Sequence, residues 1–203
     1  MSERYSFFNS VEGDIREYQA SEFAKYFSRF LSDGVYTKNG LMGLKVDFVS
    51  GLNIKVSSGF AYVRGYLYEN DANINFTLDS ADNVLDRIDR IVLKLDIVNR
   101  VMNIKLKKGT MGSNPTPPTL IDDASVKEMP IAQIRINKNA TTGIITDERV
   151  PVHSLIEIPL GEMWNIFNPW FQSVQNTLGQ RIMSGTTEPP EMLTGDIWLR
   201  ELV

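Results

Sequence analysis

Hydrophobic and polar residues alternate with a period of two over most of the chain, from about residue 35 to residue 150. Segments such as "GLNIKVSSGFAYVRGYLYEN" and "MPIAQIRINK" consist of short alternating runs separated by Gly, Asn, Asp and Pro. This alternation places successive side chains on opposite faces of a strand, and many short strands in sequence are typical of a sandwich or barrel. The pattern therefore predicts a mainly β domain with a β-sandwich or barrel-like fold.

Helical spacing replaces this alternation near the N-terminus. Phe23, Phe27, Phe30 and Leu31 recur at the intervals of one helix face, Ser21 precedes them as a candidate N-cap, and "SDG" ends the run. An aromatic face of this kind needs a covering surface, because a large apolar patch is unfavourable in water. We expect the helix to cap the neighbouring sheet, and a helix that binds in the groove of a partner is the alternative.

A second run of helical spacing follows residue 150 and extends to Ile182. Its aromatic content is large for one segment, which predicts contact with the β domain or with another subunit. The chain then ends in a Pro/Gly-rich linker and one short strand around Trp198, which needs a pairing partner. The candidate oligomer interface comprises Trp164, Phe167, Trp170, Phe171, Val174 and Leu178.

These patterns divide the chain into four segments. They are an N-terminal arm and helix (1–34), a β domain (35–150), a helical oligomerisation segment (151–183) and a linker with a terminal strand (184–203). The predicted architecture is thus a β domain with an N-terminal capping helix, followed by an amphipathic helical segment and a short strand.

Two tandem pairs of an acid and a base stand directly before a long alternating run. That run has the pattern of two strands joined by a tight turn at "VNR". A carboxylate bonded to a guanidinium at this point would orient the chain and satisfy amides at the strand ends. We interpret Asp86, Arg87, Asp89 and Arg90 as structural ion pairs at the base of a hairpin, and a ligand site is the alternative.

A proline-rich stretch separates two of the predicted strands. Residues 109–130 contain Pro115, Pro117 and Pro118 and cannot pair as a central strand. Loops of this length in compact domains are usually functional or pressed against a partner, so we expect these prolines to contact a partner.

Three tyrosines are candidates for sugar binding. Tyr62, Tyr66 and Tyr68 have even spacing, which places them on one face of a strand if the strand is continuous. Exposed rings on one face would form a platform for a sugar, whereas packing into the core is the competing interpretation and the one we prefer.

Composition argues against several classes of function. The chain has no cysteine and a single histidine, His153, which excludes disulfides and thiolate sites and removes most zinc chemistry. With 21 Lys and Arg against 25 Asp and Glu, the net charge of −4 does not favour nucleic acid as a partner. No segment is long and apolar enough to span a membrane, and no residues form a catalytic or metal motif. We therefore expect no enzyme activity, no cofactor and no membrane contact.

The order of three motifs resembles a known family. The motifs are Glu-Tyr-x-Ala-x-x-Phe-Ala (Glu17 to Ala24), Gly-x-Ala-x-Val-x-Gly-Tyr (Gly59 to Tyr66) and Arg-Ile-Asp-Arg-Ile-Val (Arg87 to Val92). Over about residues 7–150 the chain resembles the N-terminal region of tail-tip and upper-baseplate, tail-fibre-like structural proteins from phages and prophages of Gram-positive bacteria. The tryptophan-rich segment and "GTTEPPEMLTGDIWL" are similar to modules that follow this region in relatives.

The resemblance implies a structural component of the virion, made in the host cytoplasm. Such a protein seats on the tail hub, assembles symmetrically as a homotrimer with other tail and baseplate proteins, and has no enzyme activity. Relatives often continue into a host-binding part, whereas this chain ends at Val203, so we expect an adaptor or connector. The alternative is a carbohydrate-binding module that contacts the host cell wall, and a wall-degrading hydrolase with two acids is a third hypothesis.

Overall fold

The computed structural model describes residues 3, 5–155, 165, 167–173, 182–185, 187 and 197–200. In this part of the chain the fold is mainly β, with a helix near the N-terminus and a short helical segment nearer the C-terminus, which confirms the predicted class. The chain divides into two compact units, residues 1–156 and residues 157–203. The N-terminal arm, the helix and the β domain therefore belong to one unit.

The helix and strands of the first unit follow one another closely along the chain. The elements are α1 (Ala20–Phe27), β1 (Gly34–Val35), β2 (Thr37–Lys38), β3 (Leu41–Met42), β4 (Val46–Ser50), β5 (Asn53–Val56), β6 (Gly59–Val63), β7 (Tyr66–Asn70), β8 (Ile74–Thr77), β9 (Arg87–Asp96), β10 (Val101–Lys107), β11 (Val126–Ile136) and β12 (Ile144–Asp147).

Three antiparallel sheets contribute to one hydrophobic core in a sandwich-like arrangement. Their strand orders are β1-β6-β7, β4-β5-β8 and β10-β9-β11-β12, and β2 and β3 form a separate hairpin. Ile54, Val63 and Leu93 come from different sheets and are all fully buried in the same core cluster. Alternate residues of the strands face this core because neighbouring side chains of a strand point to opposite faces.

The predicted long hairpin is present as β9 and β10. A four-residue turn joins the two strands, and Asp96 of β9 lies opposite Val101 of β10. Arg100 in this turn has a φ of 54°, a left-handed conformation that side chains other than glycine adopt mainly in turns. Because β9 also pairs with β11 along almost its whole length, β9 is a central strand of the four-stranded sheet and β10 forms one of its edges.

A β-bulge interrupts the pairing of β11 with β9 at Pro130. The register shifts between Pro130 and Ala132, so that Ile131 is an additional residue in β11. Proline has no N–H to donate to a ladder, and a bulge is where a sheet tolerates it. Ile131 and Ala132 are both buried, so the bulge adds apolar contacts to the core.

Helix α1 is shorter than the apolar pattern predicts. It begins at Ala20, so Ser21 lies inside the helix, and the N-cap is Gln19. The carboxylate of Glu22 accepts a hydrogen bond of 3.0 Å from the backbone N–H of Gln19, which satisfies a donor at the helix start. The helix ends at Phe27, and the prediction that it extends to "SDG" is wrong.

After the last strand of the β domain the chain returns to the segment that follows α1. The backbone N–H of Leu155 donates to the carbonyl oxygen of Phe30 at 2.8 Å, and that of Ser32 donates to His153 at 2.9 Å. Residues 151–155 therefore belong to the first unit, although the helical pattern places them with the oligomerisation segment.

In the second unit, residues 167–173 are helical, as the apolar pattern predicts. The terminal strand β14 (Ile197–Arg200) pairs in parallel with β13 (Ile182–Gly185). The terminal strand thus finds its partner within its own unit. The prediction that the helix extends to Ile182 is wrong, since Ile182 begins β13 and a β-branched residue also fits a strand pattern.

Candidate functional site

The N-terminal arm, residues 5–19, folds back on itself before α1 begins. The hydroxyl of Tyr18 accepts a hydrogen bond of 2.6 Å from the backbone N–H of Phe8 and donates one of 3.1 Å to its carbonyl oxygen. Inside the loop that this contact closes, Val11 and Asp14 exchange two backbone hydrogen bonds of 3.0 Å. Polar contacts therefore hold the arm together, and they leave its apolar side chains free for other contacts.

Phe7 joins the arm to the helix. The centroid of its ring lies 5.0 Å from that of Phe23, 5.2 Å from that of Tyr26 and 5.2 Å from that of Tyr18. Such ring pairs contribute about 0.5–1.5 kcal/mol each beyond the area that they bury. The φ of Phe7 is 69°, an unfavourable value for a bulky residue that persists only where surrounding contacts hold it.

The rings around Phe7 remain open to solvent. Six aromatic side chains of the arm and the helix, which we call the N-terminal aromatic surface and list below, are each at least 40% exposed. A contiguous apolar patch rimmed by polar residues usually marks a contact site for another molecule. The N-terminal aromatic surface consists of Tyr5, Phe7, Phe8, Phe23, Tyr26 and Phe27.

The expectation that the aromatic face of the helix caps a sheet is wrong for Phe23 and Phe27. The buried residue of α1 is Ala24. A Cβ atom added at Gly65, in the turn between β6 and β7, would lie 1.8 Å from the carbonyl oxygen of Ala24. The two small residues allow the backbones to meet, and this close approach orients the helix so that its aromatic residues face outward. The apolar spacing alone does not report which face of the helix is covered.

The aromatic residues of the second unit form a smaller cluster. The ring of Phe167 stacks on that of Phe171 with centroids 5.8 Å apart, and its centroid lies 5.6 Å from that of Trp170. Trp170 is 59% exposed. Trp164, Val174 and Leu178, the other members of the predicted interface, lie outside the described residues.

The inner members of the two tandem acid and base pairs bond to each other in the core. Arg87 and Asp89 are both 1% exposed, and the guanidinium Nε lies 3.2 Å from both carboxylate oxygens. Arg87 also donates to the carbonyl oxygens of Ser80, at 2.6 Å, and Asp79. Asp89 accepts a hydrogen bond of 2.8 Å from the backbone N–H of Gly109. The pair thus joins β9 to the chain that precedes it and to the end of β10.

The outer members of the tandem pairs bond to distant parts of the chain. Arg90 forms a two-point ion pair with Glu148, with N to O distances of 3.0 and 2.8 Å. Asp86 accepts a hydrogen bond from the backbone N–H of Lys138 and bonds to the guanidinium of Arg135 at 2.6 Å. The backbone hydrogen bond, followed by that from Arg135, lowers the pKa of Asp86. Sequence neighbours are therefore not partners here, because adjacent residues of a strand face opposite sides.

The proline-rich loop comprises residues 108–125 and packs on its own domain. The prediction that the unpaired stretch extends to residue 130 is wrong, because residues 126–130 belong to strand β11. Pro115 is buried, and the carbonyl oxygen of Pro118 accepts a hydrogen bond of 2.7 Å from Arg90. The carboxylate of Glu128 accepts hydrogen bonds from Lys107 at 2.5 Å and from a loop N–H. Pro115 therefore offers no surface to a partner. Pro117 and Pro118 are half-buried beside it.

The three tyrosines do not form one platform, because the strand is interrupted by a turn. Tyr62 lies in β6, whereas Tyr66 and Tyr68 lie in β7 opposite the buried residues Val63 and Ala61. Tyr66 and Tyr68 therefore pack against the core, and burial raises the pKa of Tyr68. Tyr62 faces the other side of the sheet.

The described part of the chain contains few other groups that could act in catalysis or bind a metal. His153 is exposed, and its backbone bonds to Ser32. Among the described residues no three acidic or histidine side chains converge as a metal site requires. None of the described helices is long and apolar enough to cross a membrane.

No protein-family model matches the chain, and a comparison with curated proteins finds no match.

Proposed function

We propose that the protein is a structural component of a phage tail tip or baseplate, in which it acts as an adaptor that assembles symmetrically and seats on the tail hub. The observation that carries this proposal is the N-terminal aromatic surface. Six aromatic side chains stay at least 40% exposed although the fold has a well-packed core elsewhere. An exposed aromatic surface of this kind is typical of a protein that binds its neighbours in an assembly.

The aromatic cluster of the second unit supports the same proposal. Phe167 and Trp170 are 44% and 59% exposed, and aromatic residues are enriched at the centres of protein interfaces. Two apolar surfaces on one chain suit a part that contacts both its own copies and a different protein. The motifs that resemble the tail-tip family point to the same role, with a homotrimer as the symmetric form.

The direct test is immunogold electron microscopy of phage particles from the source culture, with antibodies raised against this chain. We expect label at the tail tip. Intact tails without label, in a culture that makes the protein by immunoblot and after mild dissociation to expose buried epitopes, would overturn the proposal.

Self-association supplies a second test that does not need the particle. Replacing Trp170 and Phe171 with Ala should convert a trimer into monomers in sedimentation-velocity experiments, because large aromatic side chains dominate interface energies. Val84→Ser is the matched control, since Val84 is 71% exposed but lies outside both aromatic clusters. A trimer that persists in the double variant would remove these residues from the interface.

A further inference from the structure

A shallow groove lies between the β2–β3 hairpin and the outer face of the β1-β6-β7 sheet. It has a volume of about 610 Å³, within the range of small-ligand sites. Tyr36, Phe60 and Glu69 line it from neighbouring chain segments. Phe60 lies opposite Glu69 in the β6–β7 register, and the backbone N–H of Tyr36 donates to the carbonyl oxygen of Phe60 at 2.8 Å. The three residues therefore form one row across the sheet.

Two aromatic rings form the apolar part of this row. The rings of Tyr36 and Phe60 are stacked, with centroids 4.3 Å apart and planes inclined by 19°. They are on the outer face because Ala61, the next residue of β6, is fully buried on the inner one. Tyr36 remains 41% exposed, so the stacked pair presents aromatic surface to the groove.

The fold holds the wall of the groove in place. Arg149 donates hydrogen bonds of 2.8 and 2.7 Å to the carbonyl oxygens of Met42 and Gly43 at the end of the hairpin. A Cβ atom added at Gly59 would lie 2.7 Å from the Cα atom of Gly43, so the two backbones touch at the groove. The groove is therefore formed before any ligand arrives, which lowers the entropic cost of binding.

The charged groups around the groove have no role in holding the fold. In the described part of the chain, Glu69, Asp71 and Lys38 form neither an ion pair nor a side-chain hydrogen bond. An ionised carboxylate is a hydrogen-bond acceptor only, with room for several donors. The groove thus combines aromatic surface with unused acceptors.

We infer that this groove is a binding site for a neutral saccharide. A pyranose ring has an apolar face of C–H groups that can lie against an aromatic ring, and hydroxyl groups at its edge that can donate to carboxylates. Two carboxylates against one lysine disfavour an anionic ligand, and the net charge of −4 acts in the same direction. The inference differs from the tyrosine platform that the sequence offers as an alternative to core packing, and it does not depend on the proposed role in a phage tail.

Amide NMR spectra of the full chain provide the test. The probes are the methyl glycosides of glucose, galactose and N-acetylglucosamine, with that of glucuronic acid as an anionic comparison and a lysine-rich peptide as a substitute for a protein partner. We expect saturable shifts in the amides of β2, β3 and residues 59–71 with at least one neutral probe. Tyr36→Ala should weaken that binding about tenfold, the loss expected when an aromatic contact of about 1.4 kcal/mol is removed.

The control variant is Tyr62→Ala, which removes a tyrosine from the same sheet but outside the groove. It should bind as the unchanged protein does, and the dispersed spectra of both variants report whether each is folded. The inference is overturned by the absence of saturable shifts with all three neutral probes, by equal binding in folded Tyr36→Ala, or by preference for the glucuronide. Shifts produced only by a lysine-rich peptide would also overturn it, by assigning the groove to a protein partner.

Discussion

The acids at the base of the β9–β10 hairpin and those beside the β2–β3 groove have opposite surroundings. Asp89 is buried and bonds to Arg87 and to the backbone N–H of Gly109. Glu69 and Asp71 are exposed and bond to no donor in the described residues. Both regions combine acids with apolar side chains, so composition alone does not distinguish them. The difference is whether the hydrogen-bonding capacity of the acids is already used within the fold.

This difference separates a structural role from a binding role on physical grounds. A buried carboxylate must be paired, because an unpaired charge in the core carries a large desolvation penalty. An exposed carboxylate is hydrated and can exchange its water for a ligand at small cost. Stability measurements should therefore respond to changes at the hairpin base, and ligand binding should respond to changes at the groove.

Asp89→Ala is expected to have the largest effect on stability. The substitution leaves the guanidinium of Arg87 buried without its carboxylate, and breaking a buried pair in this way costs about 3–5 kcal/mol. Urea denaturation followed by circular dichroism measures the free energy of unfolding. Arg16→Ala is the matched control, because the Arg16–Asp14 pair is exposed and its loss should change stability little. Unchanged stability in Asp89→Ala, together with loss of saccharide binding, would reverse the assignment of the two regions.

Asp96, at the turn end of the hairpin, should show a dependence on pH. The backbone N–H of Asn99, followed by its side-chain amide, lowers the pKa of Asp96 from 3.8 to about 2. A carboxyl whose pKa is lowered by folding contributes stability above its unfolded pKa, and this contribution is lost as the pH falls through the folded value.

Asp96→Asn should therefore lower the melting temperature at neutral pH, and the difference from the unchanged protein should shrink between pH 3.8 and about 2. Thermal unfolding across this range measures the effect. A difference between the two proteins that stays constant down to the lowest pH would mean that the Asp96 carboxylate is not responsible.

The hairpin and the other strands were predictable because their signals are local. Alternation over "RIVLKLDIV" and "VMNIKLK", separated by turn residues, specifies two strands and one connection. The partners of the charged residues were not predictable. Arg90 bonds to Glu148, which is 58 residues away, and only the pairing of distant strands brings them together. The same applies to the stacked pair Tyr36 and Phe60, which are adjacent across a sheet and not along the chain.

The N-terminal aromatic surface illustrates a different limit of the sequence. The stretch "YSFF" carries three aromatic residues in a polar segment, and this signal points to contact with something. Whether Phe23 and Phe27 of α1 face the core depends on the close approach of Ala24 to Gly65. That approach is set by the turn between β6 and β7, and the spacing of aromatic residues contains no information about it.

The smallest expected effect on stability is at the groove, where the comparison can be tested most sharply. Glu69→Gln and Asp71→Asn should each change the free energy of unfolding by less than about 0.5 kcal/mol, because exposed side chains without partners contribute little to the fold. Each substitution keeps the size of the side chain but converts one oxygen acceptor into a donor, so the same variants should weaken binding of the neutral methyl glycosides. Urea denaturation and the NMR titration on the same samples measure both quantities. A loss of stability comparable to that of Asp89→Ala would show that these acids support the fold after all, and would remove the distinction on which the saccharide site rests.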